Sequence, residues 1–168
     1  MTLSRWVGSF GGVGYLRPAP GTWGSLAAVV AAYALLKLFG FVVFLLALIA
    51  VVALAFWSIA DLIARMGEPG HQDPGWVVID EVAGQWIALL PIALGAASNG
   101  VAVERLWPGW IAAFVLFRLF DIWKPGPIGW ADRRPGSAGV VLDDLFAGLF
   151  AAAGVTVLAG LAHGVLMQ

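Results

Sequence analysis

From Phe41 to Ala60 the chain runs twenty residues without a charged side chain. At 1.5 Å per residue a helix of that length matches the ~30 Å hydrocarbon core of a bilayer. In lipid the backbone can satisfy its own polar groups only as a helix or a closed barrel. This stretch therefore commits the chain to a helical membrane fold. Composition agrees: 61% of residues are hydrophobic and 11% charged, against about 25% charged in soluble domains.

Four more apolar segments accompany it: Trp23 to Leu36, Val82 to Ser98 with Pro91 inside it, Trp107 to Phe120, and a Gly- and Ala-rich stretch from Leu145 to Ala162. The small residues of the last suit close helix contacts. Trp23 to Leu36 and Trp107 to Phe120, the first and fourth of the five along the chain, are short for a full crossing, so they are expected to tilt, re-enter or extend through their charged ends. The expected fold is all-α, a single membrane-embedded domain over residues 1–168. It is a polytopic helical bundle with four or five transmembrane or partly re-entrant segments. The first 22 residues carry Gly8, Gly11, Gly12, Gly14, Pro18 and Pro20 and no continuous apolar core. They read as an ordered or surface-lying leader, not a cleaved signal.

Charge then sets orientation. If all five segments cross, Arg5, Arg17, Arg65, Arg118, Lys124, Arg133 and Arg134 fall on one side and only Lys37 and Arg105 on the other. The positive-inside rule makes the first side cytoplasmic. The acids divide the same way, with Glu104 alone on the far side. A net charge of −1 gives no global pull toward nucleic acid, and the absence of cysteine removes disulfides, thiol catalysis and thiolate-bound metal.

Two acidic pairs open hydrophobic segments in nearly the same words: Val77-Val78-Ile79-Asp80-Glu81-Val82-Ala83-Gly84 and Val140-Val141-Leu142-Asp143-Asp144-Leu145-Phe146-Ala147-Gly148. Each is expected at a helix start, where one acid would cap the helix and complement its dipole. Two adjacent acids at both starts exceed that need, because neighbouring carboxylates repel until a cation or proton separates them. Ionisable groups beside hydrocarbon are also costly unless compensated. Asp80, Glu81, Asp143 and Asp144 are therefore read as ligands of a divalent cation, with Asp80 and Asp144 also catalytic candidates.

Arg118, Asp121 and Lys124 are spaced three apart before Pro125, so they stack on one helix face. They form either an interfacial ion-pair ladder anchored by Trp123, or a phosphate grip in which Asp121 is a metal ligand or general base. Arg133 and Arg134, in the next loop, suit phosphate by charge and fork geometry, or serve as ordinary positive-inside residues. Thr22, Gly24 and Ser25 could present N–H groups to an anion, while Thr22 or Ser25 serves equally as an N-cap. His71 reads as a loop histidine, and His163, at the far end of the last segment, as structural or interfacial.

Several phosphate chemistries fail on the residues. No Asp-x-Asp is available for an aspartyl-phosphate nucleophile. Arg134-Pro135 lacks the lysine and the histidine that a histidine-nucleophile lipid phosphatase would need, and Asp61-Leu62-Ile63-Ala64-Arg65 lacks the glycine and spacing of the CDP-alcohol phosphotransferases. Water activated by carboxylate-held metal survives.

Pro-Gly-Thr-x-Gly-Ser at 20–25, Asp-Glu-x-x-Gly at 80–84, Arg-x-x-Asp-x-x-Lys-Pro at 118–125 and Asp-Asp-x-x-Ala-Gly at 143–148 together resemble the phosphatidylglycerophosphatase A family, in order and spacing over roughly residues 8 to 160. The resemblance implies a Mg²⁺-dependent phosphoric monoester hydrolase that converts phosphatidylglycerophosphate to phosphatidylglycerol and phosphate at the bacterial inner membrane, its partner a phospholipid held in the bilayer. The competing expectation is a small cation- or proton-coupled transporter whose duplicated acidic pairs mark an ion path. A structural membrane module without turnover is the third.

Overall fold

The structure, a computed structural model, describes residues 2–66 and 74–166; His71, Glu68 and Asp73 lie outside the described residues. The described residues form helices and turns, with no strand among them. In order these are α1 (Leu3–Gly8), a 3-10 turn (Val13–Tyr15), α2 (Pro20–Met66), α3 (Ile79–Ala88), α4 (Leu90–Asn99), a second 3-10 turn (Val103–Leu106), α5 (Trp107–Trp123), α6 (Pro127–Asp132) and α7 (Ser137–Leu166).

Three of these, α2, α5 and α7, are long and apolar enough to cross a membrane, and α3 with α4 makes a fourth if the bent pair is one span. Their outer faces carry Val30, Phe39, Leu46, Ile49, Ile111, Ile122, Val157 and Leu161, all exposed. A stable fold presents that much apolar surface only to lipid or a partner.

The 47 residues of α2 would reach ~70 Å as one straight rod, more than twice the bilayer core. The chain instead doubles back at Gly40, whose φ of 80° and ψ of −176° are non-helical and lie where a side chain would be strained. Trp86 proves the reversal: its indole N–H donates to Ala28 O (2.8 Å) while its ring meets Phe44 with centroids 5.5 Å apart. On a straight helix those two residues would be ~24 Å apart. The two legs, 20–39 and 41–66, thus pack side by side on α3.

Pro91 breaks the third apolar segment as expected, separating α3 from α4 by a 42° bend. The fifth segment differs from its expected start. Helix α7 opens at Ser137, six residues before Asp143, because the apolar Val140 and Val141 pack into the core and so extend the helix inward. The leader is ordered as expected: Thr2 caps α1, and Gly8 O accepts the Val78 N–H (2.8 Å) just ahead of α3.

The two ends of the bundle differ sharply in chemistry. At one end Lys37 reaches Glu104 and Tyr33. At the other, the beginnings of α2, α3 and α7 meet the end of α5, and Asp80, Glu81, Asp121, Asp132, Asp143 and Asp144 gather there.

Candidate active site

Helices α3 and α7 cross with almost nothing between them. A Cβ at Gly84 would stand 2.4 Å from Asp144 O, and one at Gly148 would stand 2.3 Å from Gly84 O. Glycine at both positions lets the two main chains touch, and this contact brings the acidic pairs together. One oxygen from each of Asp80, Glu81 and Asp144 lies within 4.8 Å of the others. Asp80 and Asp144 are only 3% and 4% exposed, so their mutual repulsion is poorly screened by solvent. Asp121, at the end of α5, is close enough to act electrostatically on both.

Asp143, expected in the same cluster, is held apart from it. Its Oδ2 accepts a hydrogen bond from Lys124 Nζ (2.6 Å), and the same ammonium bonds Asp132 Oδ1 (2.5 Å). Burial works against the charged lysine, but the hydrogen bonds to Asp132 and Asp143 outweigh it and hold its pKa above the usual lysine range. The expected ladder on α5 therefore ends early. Arg118 bridges Asp121, whereas Lys124 is the left-handed cap of the helix (φ 49°, ψ 52°) and turns toward α6 and α7. Since the pair Asp143-Asp144 lies about two turns inside α7, helix capping no longer accounts for it.

The Pro-Gly-Thr segment closes the site from above. A Cβ at Gly21 would meet Glu81 Oε1 at 2.4 Å and the Arg118 guanidinium at 3.2 Å, so the start of α2 lies directly against the charges. Because α2 opens at Pro20 and the Trp23 N–H already donates to Ala19 O (3.1 Å), the amides of Gly24 and Ser25 lie inside the helix. The N–H donors expected over Thr22 to Ser25 reduce to Gly21 and Thr22. The Ser25 hydroxyl donates to Gly21 O (2.9 Å) and Gly24 packs on Val78. Arg134 lies over the Trp130 ring at 3.9 Å, and Arg133 rests near Gly129.

Buried polar atoms with no hydrogen-bond partner mark the place where a ligand would fit. They include Arg118 Nε, Asp143 Oδ1, Asp144 Oδ1 and both polar atoms of Gln85. Gln85 is fully buried and sits one turn beyond Glu81 on the same face of α3. Helical side chains lean toward the N-terminus, the end of α3 that carries Asp80 and Glu81. Gln85 and Asp132 escaped the sequence reading. A lone glutamine in an apolar run carries no motif, though its spacing of four from Glu81 was a usable signal.

An all-carboxylate donor set with orphaned oxygens fits a hard, oxygen-preferring divalent cation such as Mg²⁺. Arg118 and Lys124 flank it with charges suited to phosphate oxygens. The arrangement can thus bind a phosphoryl group and activate water beside it. Both acidic pairs lie toward one end of the bundle and neither at mid-span, which does not suit an ion path across the membrane.

Residues 6–159 match the profile of a protein family described as phosphatidylglycerophosphatase A. A phosphatidylglycerophosphatase A of Haemophilus influenzae is 36% identical over 141 residues, covering 83% of this chain and 78% of that one. The Escherichia coli K12 protein of the same description is 36% identical over 139 residues, 79% of this chain and 70% of its own. A Bacteroides thetaiotaomicron protein described as a candidate phosphatidylinositol-3-phosphatase is 36% identical over 148 residues, 86% of each chain. No solved structure matches.

Proposed function

The chain belongs to the phosphatidylglycerophosphatase A family, and from that premise we propose a Mg²⁺-dependent hydrolysis of phosphatidylglycerophosphate at the cytoplasmic leaflet of the bacterial inner membrane. It is a phosphoric monoester hydrolase of membrane lipid; the metal, the leaflet and the residue roles are our reading. The observation that carries it is the convergence of Asp80, Glu81 and Asp144 within 4.8 Å, from two helices, beside Arg118 and Lys124.

Mg²⁺ held by Asp80, Glu81 and Asp144 would draw charge from the phosphoryl oxygens and make water a better nucleophile. Arg118 binds the terminal phosphate from the α5 side, with the Gly21 and Thr22 amides as further donors. Lys124 adds positive charge from the α6 side while holding Asp143. Asp121, oriented by Arg118, takes the proton of the attacking water. The P–O bond to glycerol then breaks, and the glycerol oxygen leaves with a proton from solvent at the membrane surface. Arg133 and Arg134 add to the positive-inside charge rather than to the grip.

The proposed orientation follows from the basic residues gathered at the site end, which the positive-inside rule sets in the cytoplasm. The substrate's acyl chains can stay in the bilayer while its headgroup enters at that interface. The Bacteroides relative's description names a different polyol bearing a distal phosphate, so that lipid is the natural competitor. The test is phosphate release by the purified protein in neutral detergent micelles, from phosphatidylglycerophosphate and from phosphatidylinositol 3-phosphate, after chelation and after Mg²⁺ is restored. Release that persists after chelation would rule out the metal. A preference for the inositol lipid would reassign the substrate.

A further inference from the structure

A cavity of about 340 Å³ is lined by Gly14, Tyr15, Arg17, Pro20, Gly75 and Trp76. Its size lies within the range of small-ligand pockets. Its walls are the two segments that lead into the site: residues 14–20 run into Gly21, which touches Glu81 and Arg118, and residues 75–76 run into Asp80. Pro20 lines the cavity and its neighbour Gly21 lies against Glu81 and Arg118, so cavity and carboxylates adjoin at a step that carries no side chain.

The cavity is built rather than accidental. Tyr15 stacks on Trp76 at 5.6 Å and 26°, and Arg5 backs both, with its guanidinium 5.0 Å from the Trp76 ring and its Nε donating to the Tyr15 hydroxyl (3.1 Å). A Cβ at Gly14 would fall 1.9 Å from Trp76 O, so the two walls meet main chain to main chain. Arg17 is exposed there and has no ion pair among the described residues. No carboxylate is among the described lining residues. An uncommitted guanidinium beside an aromatic wall favours an anion with a small polyol attached.

The substrate just proposed carries two phosphates: the terminal monoester that is cleaved, and a phosphodiester on the other side of the glycerol. We propose that this cavity is a second anion subsite, in which Arg17 binds the phosphodiester while the terminal phosphate lies at Arg118 and the glycerol passes over Gly21. The subsite rests on the proposed function and gives it a basis for selectivity: a lipid lacking the phosphodiester, such as a phosphatidic acid, would leave Arg17 unused. Exposed Trp6 and Leu16 beside it would lie in the membrane interface, where the diacyl end of such a headgroup must return to the bilayer.

The experiment uses the full chain in neutral detergent micelles, comparing wild type with Arg17→Ala, Arg17→Lys and, as a charge-matched control at the other end, Arg105→Ala. Three quantities are read: KM and kcat for phosphatidylglycerophosphate, inhibition by phosphatidylglycerol, which has only the phosphodiester, and inhibition by inorganic phosphate, which mimics only the terminal group. Losing one charge-assisted contact should raise KM and weaken phosphatidylglycerol inhibition by about 10-fold in Arg17→Ala, with kcat within about 2-fold and phosphate inhibition unchanged. Arg17→Lys should fall between, and Arg105→Ala should match wild type. An unchanged KM in Arg17→Ala, wild-type enzyme insensitive to phosphatidylglycerol, or equal weakening of both inhibitors would overturn the subsite. Wild-type enzyme that releases no phosphate from the lipid would instead overturn the function on which it rests.

Discussion

Lys124 Nζ stands 2.6 Å from Asp143 Oδ2, so of two adjacent aspartates on α7 one is neutralised by a lysine while the other, Asp144, joins Asp80 and Glu81. The near-identical acidic pairs of the sequence thus sit in unlike surroundings.

Conservative amides should separate them. Asp80→Asn, Glu81→Gln and Asp144→Asn are expected to lower kcat by about 10²-fold or more, the scale of losing a major transition-state stabiliser, and to raise the Mg²⁺ concentration for half activity. Asp143→Asn should lower kcat/KM while leaving that Mg²⁺ concentration near wild type. Mg²⁺ titrations of the four variants check this. A shift for Asp143→Asn as large as that for Asp144→Asn would place Asp143 among the metal ligands.

Lys124→Ala should cost at least as much as Asp143→Asn, since Lys124 also bonds Asp132, and the double variant should be no worse than the poorer single one, because residues in direct contact are not additive. Lys37→Ala removes the same charge at the far end, from an exposed pair with Glu104 of the kind that contributes about 0–1 kcal/mol. Its kcat/KM should stay near wild type. Equal small effects at both lysines would reduce Lys124 to a membrane anchor.

Gly84→Ala and Gly148→Ala should each force α3 and α7 apart, since the new methyl would fall 2.4 Å or 2.3 Å from a carbonyl oxygen. Overpacking of this kind costs about 1–3 kcal/mol. Thermal unfolding in detergent should show the loss, with activity falling further than stability because the acids separate. Gly95→Ala, where nothing lies within 4 Å, is the neutral control.

Gln85→Met should raise the unfolding temperature, because it removes a buried carboxamide with no partner, a group whose desolvation costs about 1–3 kcal/mol. It should also reduce kcat if that carboxamide serves the ligand-bound site. A variant both less stable and less active would show that Gln85 holds the fold instead.

Hydrophobic pattern made the apolar segments and the Pro91 break readable in advance, and the repeated acidic words pointed to the end of the bundle where Asp80, Glu81 and Asp144 converge. What escaped the pattern was set by tertiary contact. Ser137 could start α7 early only because Val140 and Val141 pack into the core, and core packing overrides a local start signal. Lys124 left the expected face of α5 because it takes a left-handed conformation, which spacing by three cannot reveal. Arg134 found Trp130, four residues earlier and a neighbour no phosphate motif brings to mind. The close approach of Gly21 to Glu81 and Arg118 spans some sixty and some hundred residues of chain, beyond any local period.

The contact of Gly84 with Asp144 has a mechanical side. Where two helices meet through side chains, a change in bilayer thickness or lateral pressure can be absorbed by rotamers at their seam. Between Gly84 and Gly148 there are no rotamers to move. The main-chain spacing that carries Asp80 and Asp144 is then fixed by backbone against backbone, so a change in the surrounding lipid has no side-chain seam there through which to shift it.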